Sequence, residues 1–346
     1  MARHDCIVLY NAANISEVEG SAEKIYPSTI IREEVGSIED ALRSGGFNPL
    51  VYSVDHFSRE MVLTFSRLAP KFVFNLCEEI NGQVELEGSV AGLLELMNIP
   101  YTGSGPFALN LALNKFYVKQ VLRSAGIPVA RGYLQGPGQR TSRRGVRFPV
   151  IVKPAHEDAS LGINSDSVCR DGREVERQVS YIHAVYNQEA LVEEFLDGRE
   201  FNVSIVGERD PEVLAVSEID FSKMPEGEPR IVSYRAKWDE ESDVYGATVP
   251  VCPANISKKL ERRIRDIAVR SYRMLGCRDY ARVDMRTDSR GNHQVLEVNP
   301  NPDISARAGF ARAARVAGYS YNDIILKIAR AAMERGANIA ASVYAY

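Results

Sequence analysis

Residues 280–305, YARVDMRTDSRGNHQVLEVNPNPDIS, constrain this chain more than any other stretch. ARVDM and QVLEVN each alternate apolar and polar residues, the pattern of a half-buried strand. DSRGN between them supplies the Asp, Gly and Asn of a tight turn, so the pair is expected to form a β-hairpin. Residues two apart in a strand share a face, which puts Arg282 with Asp284 and Glu297 with Asn299. Pairing across the turn brings two carboxylates, an amide oxygen and a guanidinium to one surface. Such oxygen donors suit a hard cation like Mg2+, which keeps some waters and shares its other positions with phosphate oxygens. A lone R-x-D would read as charge alternation on a solvated sheet face. E-x-N at hairpin distance, with the NPNPD turn after it, favours a functional surface instead.

The 346 residues can bury a large core and are long for one compact unit, so two or three domains are expected. An apolar content of 45% with 25% charged residues is ordinary for a globular chain, and a net charge of −4 argues against a general nucleic-acid surface. No run of 18 apolar residues suggests a membrane span. CIVLY at 6–10 is too short for a signal-peptide core, so the expected location is cytoplasmic. Cys6, Cys77, Cys169, Cys252 and Cys277 are odd in number and scattered without C-x-x-C, and the five histidines have no ligand spacing. Neither a disulfide framework nor a zinc site is expected.

Along the chain, residues 6–10, 50–54 and 72–76 read as core strands separated by helical stretches at about 37–45 and 84–97. That rhythm predicts an open α/β layer, which binds ligands at the carboxyl ends of its strands. Residues 11–28 are polar and irregular, and are expected to loop over that edge. No G-x-G-x-x-G follows any strand, which removes a dinucleotide-binding half. A helix is expected over 108–125, carrying Asn114, Lys115 and Lys119. FPVIVKPA at 148–155 then ends a buried strand on Lys153, whose charge needs a partner. In the HEDASLG loop at 156–162, backbone N–H groups near Ser160 and Gly162 can approach phosphate. ALVEEFLDGREFNVSIVG at 190–207 reads as strand, turn, strand, with Glu193, Glu194 and Glu200 about the turn. Further strand-like segments and a polar loop occupy 212–250, and helices are expected over 256–275 and most of 308–335.

Taken in order, IPYTGSG, the Asn114–Lys115 pair, PVIVKP, EEFLDGREF, RVD and EVN resemble the ATP-grasp superfamily, and within it the D-alanine–D-alanine ligases. The resemblance covers roughly residues 70–335. It implies an α/β chain, α+β in its ATP-grasp part: an N-terminal open parallel α/β (pre-ATP-grasp) domain at 1–106, a central lobe at 107–192 and a metal-carrying C-terminal lobe at 193–346. The two lobes would clasp ATP. Lys115 and Lys153 resemble the two lysines that hold ATP phosphates, with Ser160 in the phosphate loop. Glu193 resembles the adenine-side carboxylate, the backbone of Glu194, Phe195 and Leu196 the base-reading edge, and Glu200 the acceptor of the ribose hydroxyls. Lys237 resembles a phosphate-reaching lysine on a mobile loop. Asp284, Glu297 and Asn299 match the metal ligands for two Mg2+, with Mn2+ as an alternative, and Arg282 the arginine at the tetrahedral centre. The implied chemistry makes a carboxylate into an acyl phosphate, which an amine then attacks to give an amide, ADP and phosphate. A closing loop at 220–245 would exclude water. The resemblance also implies a homodimer.

Departures from the family pattern gather on the substrate side. IREEVGS at 31–37 puts Arg32 where a glutamate is expected, and NLCEE at 75–79 replaces a histidine–glycine pair. Ala159 replaces a phosphate-loop serine, and Trp238 the tyrosine after the loop lysine. NPNPDIS gives the oxyanion N–H to Asp303, with Asn301 and Ser305 as candidate substrate contacts. The acceptor-binding serine falls on Ala308, leaving neighbouring Arg307 to hold a carboxylate. The expectation is a carboxylate–amine ligase for small amino-acid-like substrates other than two D-alanines. Its rivals are D-alanine–D-alanine ligation itself, transfer to a thiol or carrier-bound amine, and a non-catalytic ATP-binding regulator. Retention of Arg282 argues against the last, because binding nucleotide needs no oxyanion donor.

Overall fold

A computed structural model describes residues 4–12, 28–139, 145–239 and 241–343. The loop expected over 11–28 therefore lies almost wholly outside the described residues, as do parts of the basic 136–147 segment and of the C-terminal tail. Three sheets organise the chain. The first is parallel, ordered Pro49–Ser53, Cys6–Tyr10, Phe72–Leu76, as near-continuous apolar runs buried on both faces require. Its strands point their carboxyl ends at the cleft, where the Asn11 side chain accepts from the N–H groups of Glu78 and Glu79.

A second, antiparallel sheet runs Gly132–Gln135, Ala190–Glu194, Val150–Pro154, Val168–Cys169. It packs on the helix Gly172–Tyr186, which is capped by Asp171 and presents Val175, Val179 and Ile182 to Val150, Val152 and Val192. The third sheet has five antiparallel strands, Val249–Val251, Glu212–Asp220, Glu200–Val206, Tyr280–Thr287 and His293–Asn299. The expected hairpin is its edge, with Arg282 opposite Asn299 and Asp284 opposite Glu297. The helix Lys258–Met274 covers one face, burying Ile264, Ile267, Ala268 and Tyr272 with Phe201, Val203 and Val283. At about 1.5–3 kcal/mol for each large apolar side chain taken from water, such clusters hold the lobes together.

Two expectations are corrected. The helix expected over 108–125 is two helices, Pro106–Ala112 and Lys115–Ser124. Asn114 breaks it: its backbone is extended and its side chain accepts from the N–H groups of Phe116 and Tyr117, an N-cap that makes Lys115 the first helical residue. The helical stretch expected over 308–335 is likewise two helices, Gly309–Val316 and Tyr321–Val343. These return to the first sheet: Phe310, Ile324, Ile325 and Ile328 share a core with Cys6, Val8, Phe72 and Phe74.

Candidate active site

The cleft lies between the second and third sheets, with the carboxyl edge of the first closing one end. Lys153 ends the strand Val150–Pro154, and its antiparallel neighbour Ala190–Glu194 carries Glu193. Glu193 is 1% exposed and lies 2.8 Å from the Lys153 ammonium and 2.9 Å from that of Lys119. Burial pushes its pKa up, but the two ammonium groups outweigh burial and leave it below the usual carboxylate range. Each Glu193 oxygen thus has one ammonium group at the distance of a charge-assisted hydrogen bond. The N–H groups of Glu194 and Phe195, expected at the base-reading edge, donate to the carbonyls of Arg131 and Pro149.

Lys119 is the weak member of this triad. Burial pulls its pKa down to about 8, against the attraction of Glu193. Its folded-state pKa is therefore depressed from the ordinary 10.5, and between these values the unfolded chain keeps a proton that the folded chain sheds. Stability from this group rises with pH across that window, by at most about 1.4 kcal/mol per pH unit. In urea unfolding between pH 7.5 and 10, the native chain is expected to gain stability with pH more steeply than Lys119→Met. Parallel pH profiles would refute this account of the lysine.

Lys115, 6% exposed, donates to the Glu157 carbonyl at 2.5 Å and to Asp158 Oδ1 at 2.8 Å, and lies 3.8 Å from Glu297 Oε2. Burial opposes its charge, yet Asp158 and Glu297 outweigh burial and raise its pKa above the usual lysine value. Next to it stands the hairpin face. Arg282 grips Asp284 with Nε at 2.8 Å and Nη2 at 2.7 Å, and Asn202 donates to the same carboxylate at 2.7 Å. Burial works to raise the Glu297 pKa, but Lys115, Arg282 and Lys153 bring it down to about 2. The Glu297 and Asp284 carboxylates and the Asn299 amide oxygen make a hard donor set fit for a divalent cation. Among the described residues no three His, Cys, Asp or Glu side chains cluster as metal ligands, because the third donor here is an amide.

Residues 221–239 and 241–247 lie beside this face, with Lys237 in electrostatic reach of Arg282, Glu297 and Asp284. Their short helix, Tyr234–Trp238, is capped by Ser233, and Tyr234 donates its N–H to the Ile163 carbonyl at 3.0 Å. Trp238 Nε1 donates to the Ala159 carbonyl at 3.1 Å. The two departures noted in sequence, Ala159 and Trp238, thus meet. Ala159 and Ser160 both have positive φ, 53° and 67°, in the loop the sequence marks for phosphate. Lys237 is exposed to solvent at the mouth of the cleft, where desolvation by the surrounding chain, then Arg282, pull its pKa below the ordinary lysine value.

The far wall is acidic. Glu34 lies within electrostatic reach of Asp303 and Glu78, Glu78 of Asp303, and Glu87 of Glu78. Burial, then Asp303 and Glu78, raise Glu34 to about 8; Glu78 is exposed to solvent, and desolvation within the cleft, then Asp158 and Asp303, push its pKa above the usual carboxylate range. Asn301 bridges Tyr280 Oη at 2.9 Å and Glu87 Oε1 at 3.1 Å, while Glu34 accepts the Ile304 N–H at 3.3 Å.

The family pattern described as "D-ala D-ala ligase C-terminus" matches residues 123–330. The chain belongs to the D-alanine–D-alanine ligase family. It is 35% identical over 299 residues to the uncharacterised protein y4sG of Sinorhizobium fredii, covering 84% of each chain. The D-alanine–D-alanine ligase of Desulforudis audaxviator is 34% identical over 262 residues, 74% of this chain and 80% of that one. The crystal structure of the Bacillus anthracis ligase complexed with ATP superposes with a TM-score of 0.72 at 19% identity, covering 96% of this chain and 99% of that one. The fold is thus that of ATP-grasp ligases, and the chain is an ATP-grasp enzyme forming carbon–nitrogen bonds.

Set against the residues expected from sequence, Lys115, Lys153, Glu193, Arg282, Asp284, Glu297 and Asn299 gather on one cleft, with Lys237 arriving from the helix Tyr234–Trp238. Asp303 and Asn301 stand on the acidic wall. Arg32 and Arg307 are exposed, and Glu34, two residues beyond Arg32 on the helix Ser28–Ser44, is the one that reaches the Asp303 turn. Sequence reasoning missed Lys119, Arg286, Glu34, Glu78 and Glu87 as site residues. Lys119 and Arg286 carry a signal, each being one period along its element from a residue that was singled out, Lys115 and Asp284. Glu34 and Glu78 lie within IREEVGS and NLCEE, the segments that depart from the family pattern, but only the fold brings them to the same wall as Glu87.

Proposed function

We propose that this chain uses ATP and Mg2+ to join the carboxylate of one small amino-acid-like substrate to the amine of another, and that the pair is not two D-alanines. The observation carrying the second half is the acidic wall. Glu34, Glu87 and Asp303 have no ion pair with a lysine or arginine among the described residues; each lies within the electrostatic reach of another carboxylate, and Lys237 acts at longer range on Asp303 and Glu78. Two D-alanines leave that wall one ammonium, that of the donor, once the acceptor amine has lost its proton for attack. A substrate with an additional amine fits it better, because a cation within about 4–6 Å of a buried carboxylate stabilises its charged form.

ATP fits the opposite side of the cleft. Glu200 can accept ribose hydroxyls, and Lys115, Lys153 and Lys237 offset phosphate charge. Bound ATP would supply the phosphoryl group that turns a carboxylate into an acyl donor. Asp284, Glu297 and Asn299 would hold two divalent ions, and the Arg282 guanidinium faces the same surface, from which it can donate to the oxyanion once an amine attacks. Residues 221–239 and 241–247 would serve as the lid that excludes the water able to hydrolyse an activated carboxylate.

A second reading is D-alanine–D-alanine ligation, favoured by the names of the relatives. Substrate-dependent ADP release with Mg2+, over pairs of D- and L-amino acids including diamino acids and with products read by mass, separates the two. Turnover with a diamino acid and weak turnover with D-alanine alone is expected. Efficient D-alanyl-D-alanine formation would sink the proposal in favour of the second reading.

A further inference from the structure

Arg286 is the buried charge that neither the metal site nor the phosphate site uses. It follows Arg282 and Asp284 on the same face of the strand Tyr280–Thr287, and the neighbouring strand sets Ser204, Asn202 and Glu200 opposite the three. Arg286 is 3% exposed. Its Nη1 donates to Glu200 Oε2 at 3.2 Å and its Nε to the Gly198 carbonyl at 3.2 Å, while Nη2 donates to the Arg230 carbonyl. The guanidinium also stacks between two rings, its carbon 5.1 Å from the centroid of Phe195 and 5.2 Å from that of Phe221.

These contacts divide between two functional pieces. Phe195, Gly198 and Glu200 belong to the segment that would cradle adenosine. Phe221 and Arg230 belong to the lid, at its root and within it. A guanidinium can serve both at once because its planar fork donates in fixed directions and its faces stack on rings; an ammonium would do one or the other.

We infer that Arg286 is a positioning residue that ties closure of the 221–247 lid to occupancy of the ribose side of the nucleotide site. This rests on the ATP reading given above. Ribose hydroxyls donating to Glu200 fix that carboxylate, Glu200 fixes the guanidinium, and the guanidinium holds the Arg230 carbonyl and the Phe221 ring in the closed arrangement. The lid carries its own reporter, since Trp238 is the only tryptophan in the chain and its indole N–H is engaged with Ala159 when the lid is down.

Titration of the full-length chain with MgATP and with Mg-2′,3′-dideoxy-ATP, followed by Trp238 fluorescence, tests this without any turnover. In the native chain ATP is expected to bind about tenfold more tightly than the dideoxy nucleotide, the worth of hydrogen bonds to a charged acceptor, and to give the larger fluorescence change. In Arg286→Met, ATP affinity and amplitude both fall to the dideoxy values, which themselves change little. Arg286→Lys keeps a cation beside Glu200 but not the fork, so it retains the preference for ATP and loses the extra amplitude. Glu200→Gln with Arg286→Met removes the stranded carboxylate, and should restore folding stability but not the ribose preference. An equal loss of affinity for both nucleotides in Arg286→Met, or an unchanged ATP-induced amplitude, would overturn the inference alone. Absence of any nucleotide response in the native chain would overturn it together with the ATP reading.

Discussion

Arg282→Met is expected to lower kcat for amide formation by about a hundred- to a thousandfold, the usual effect of removing one donor at a developing oxyanion. The KM for ATP is expected to change less than about threefold, because the nucleotide's contacts lie on other residues. Arg282 is 28% exposed in its side chain and reaches from the hairpin face toward Glu297 at 4.0 Å, so its guanidinium is directed at the cleft and not into a core. Its loss does not strand Asp284, which keeps the Asn202 amide at 2.7 Å. One secondary effect has a definite sign. Arg282 occupies both Asp284 oxygens, at 2.8, 3.1 and 2.7 Å, so removing it frees those oxygens and withdraws a positive charge. The Mg2+ concentration giving half-maximal rate should therefore fall while kcat collapses. Arg282→Lys restores charge without the planar fork and should recover only part of the rate. A variant whose kcat stays within about threefold of the native value would remove Arg282 from the chemistry.

The hairpin was legible because alternation, turn chemistry and register are local, and a period of two fixes which side chains share a face. That is why the Arg282–Asp284 and Glu297–Asn299 faces could be written down before the sheet was known, and the strands pair in that register. The helix break at Asn114 was legible too, from an N-cap residue standing before Lys115, but apolar spacing on either side masks it. The third sheet's lid was readable only as polar sequence; nothing local says that Trp238 reaches Ala159, 79 residues away. The substrate wall was the least legible part. Glu34 belongs to a helix, Glu78 follows a strand of the first sheet, Glu87 starts another helix and Asp303 follows the hairpin. Their meeting depends on the C-terminal helices folding back on the first sheet, a long-range choice that no window of sequence contains. Arg32 was the local match to a family position, yet helical phase turns Glu34 toward the cleft and leaves Arg32 exposed.

The same fold-back supplies the largest expected stability effect. Arg335→Met should destabilise the chain by about 3–5 kcal/mol, the cost of breaking a buried ion pair by removing one partner. Arg335, on the helix Tyr321–Val343, donates to both oxygens of Asp279, at 2.7 and 2.8 Å, and to the Tyr101 carbonyl at 2.6 Å. Asp279 is 0% exposed, accepts the Gly103 N–H at 2.9 Å and has a φ of 63°, a left-handed conformation that costs a non-glycine residue energy unless its surroundings hold it. Burial raises its pKa and Arg335 pulls it back, so without the arginine a carboxylate is left in the core beside Tyr101 and Gly103. Because Asp279 immediately precedes the strand Tyr280–Thr287, this one pair joins the C-terminal helix, the first domain and the strand that carries Arg282, Asp284 and Arg286. Chemical unfolding should give the full loss in Arg335→Met, and a smaller one in Arg335→Met/Asp279→Asn, where no charge is stranded. Equal losses in the two would mean that the helix is held by its apolar core alone. A destabilisation under about 1 kcal/mol in the single variant would reduce the pair to the worth of a surface ion pair.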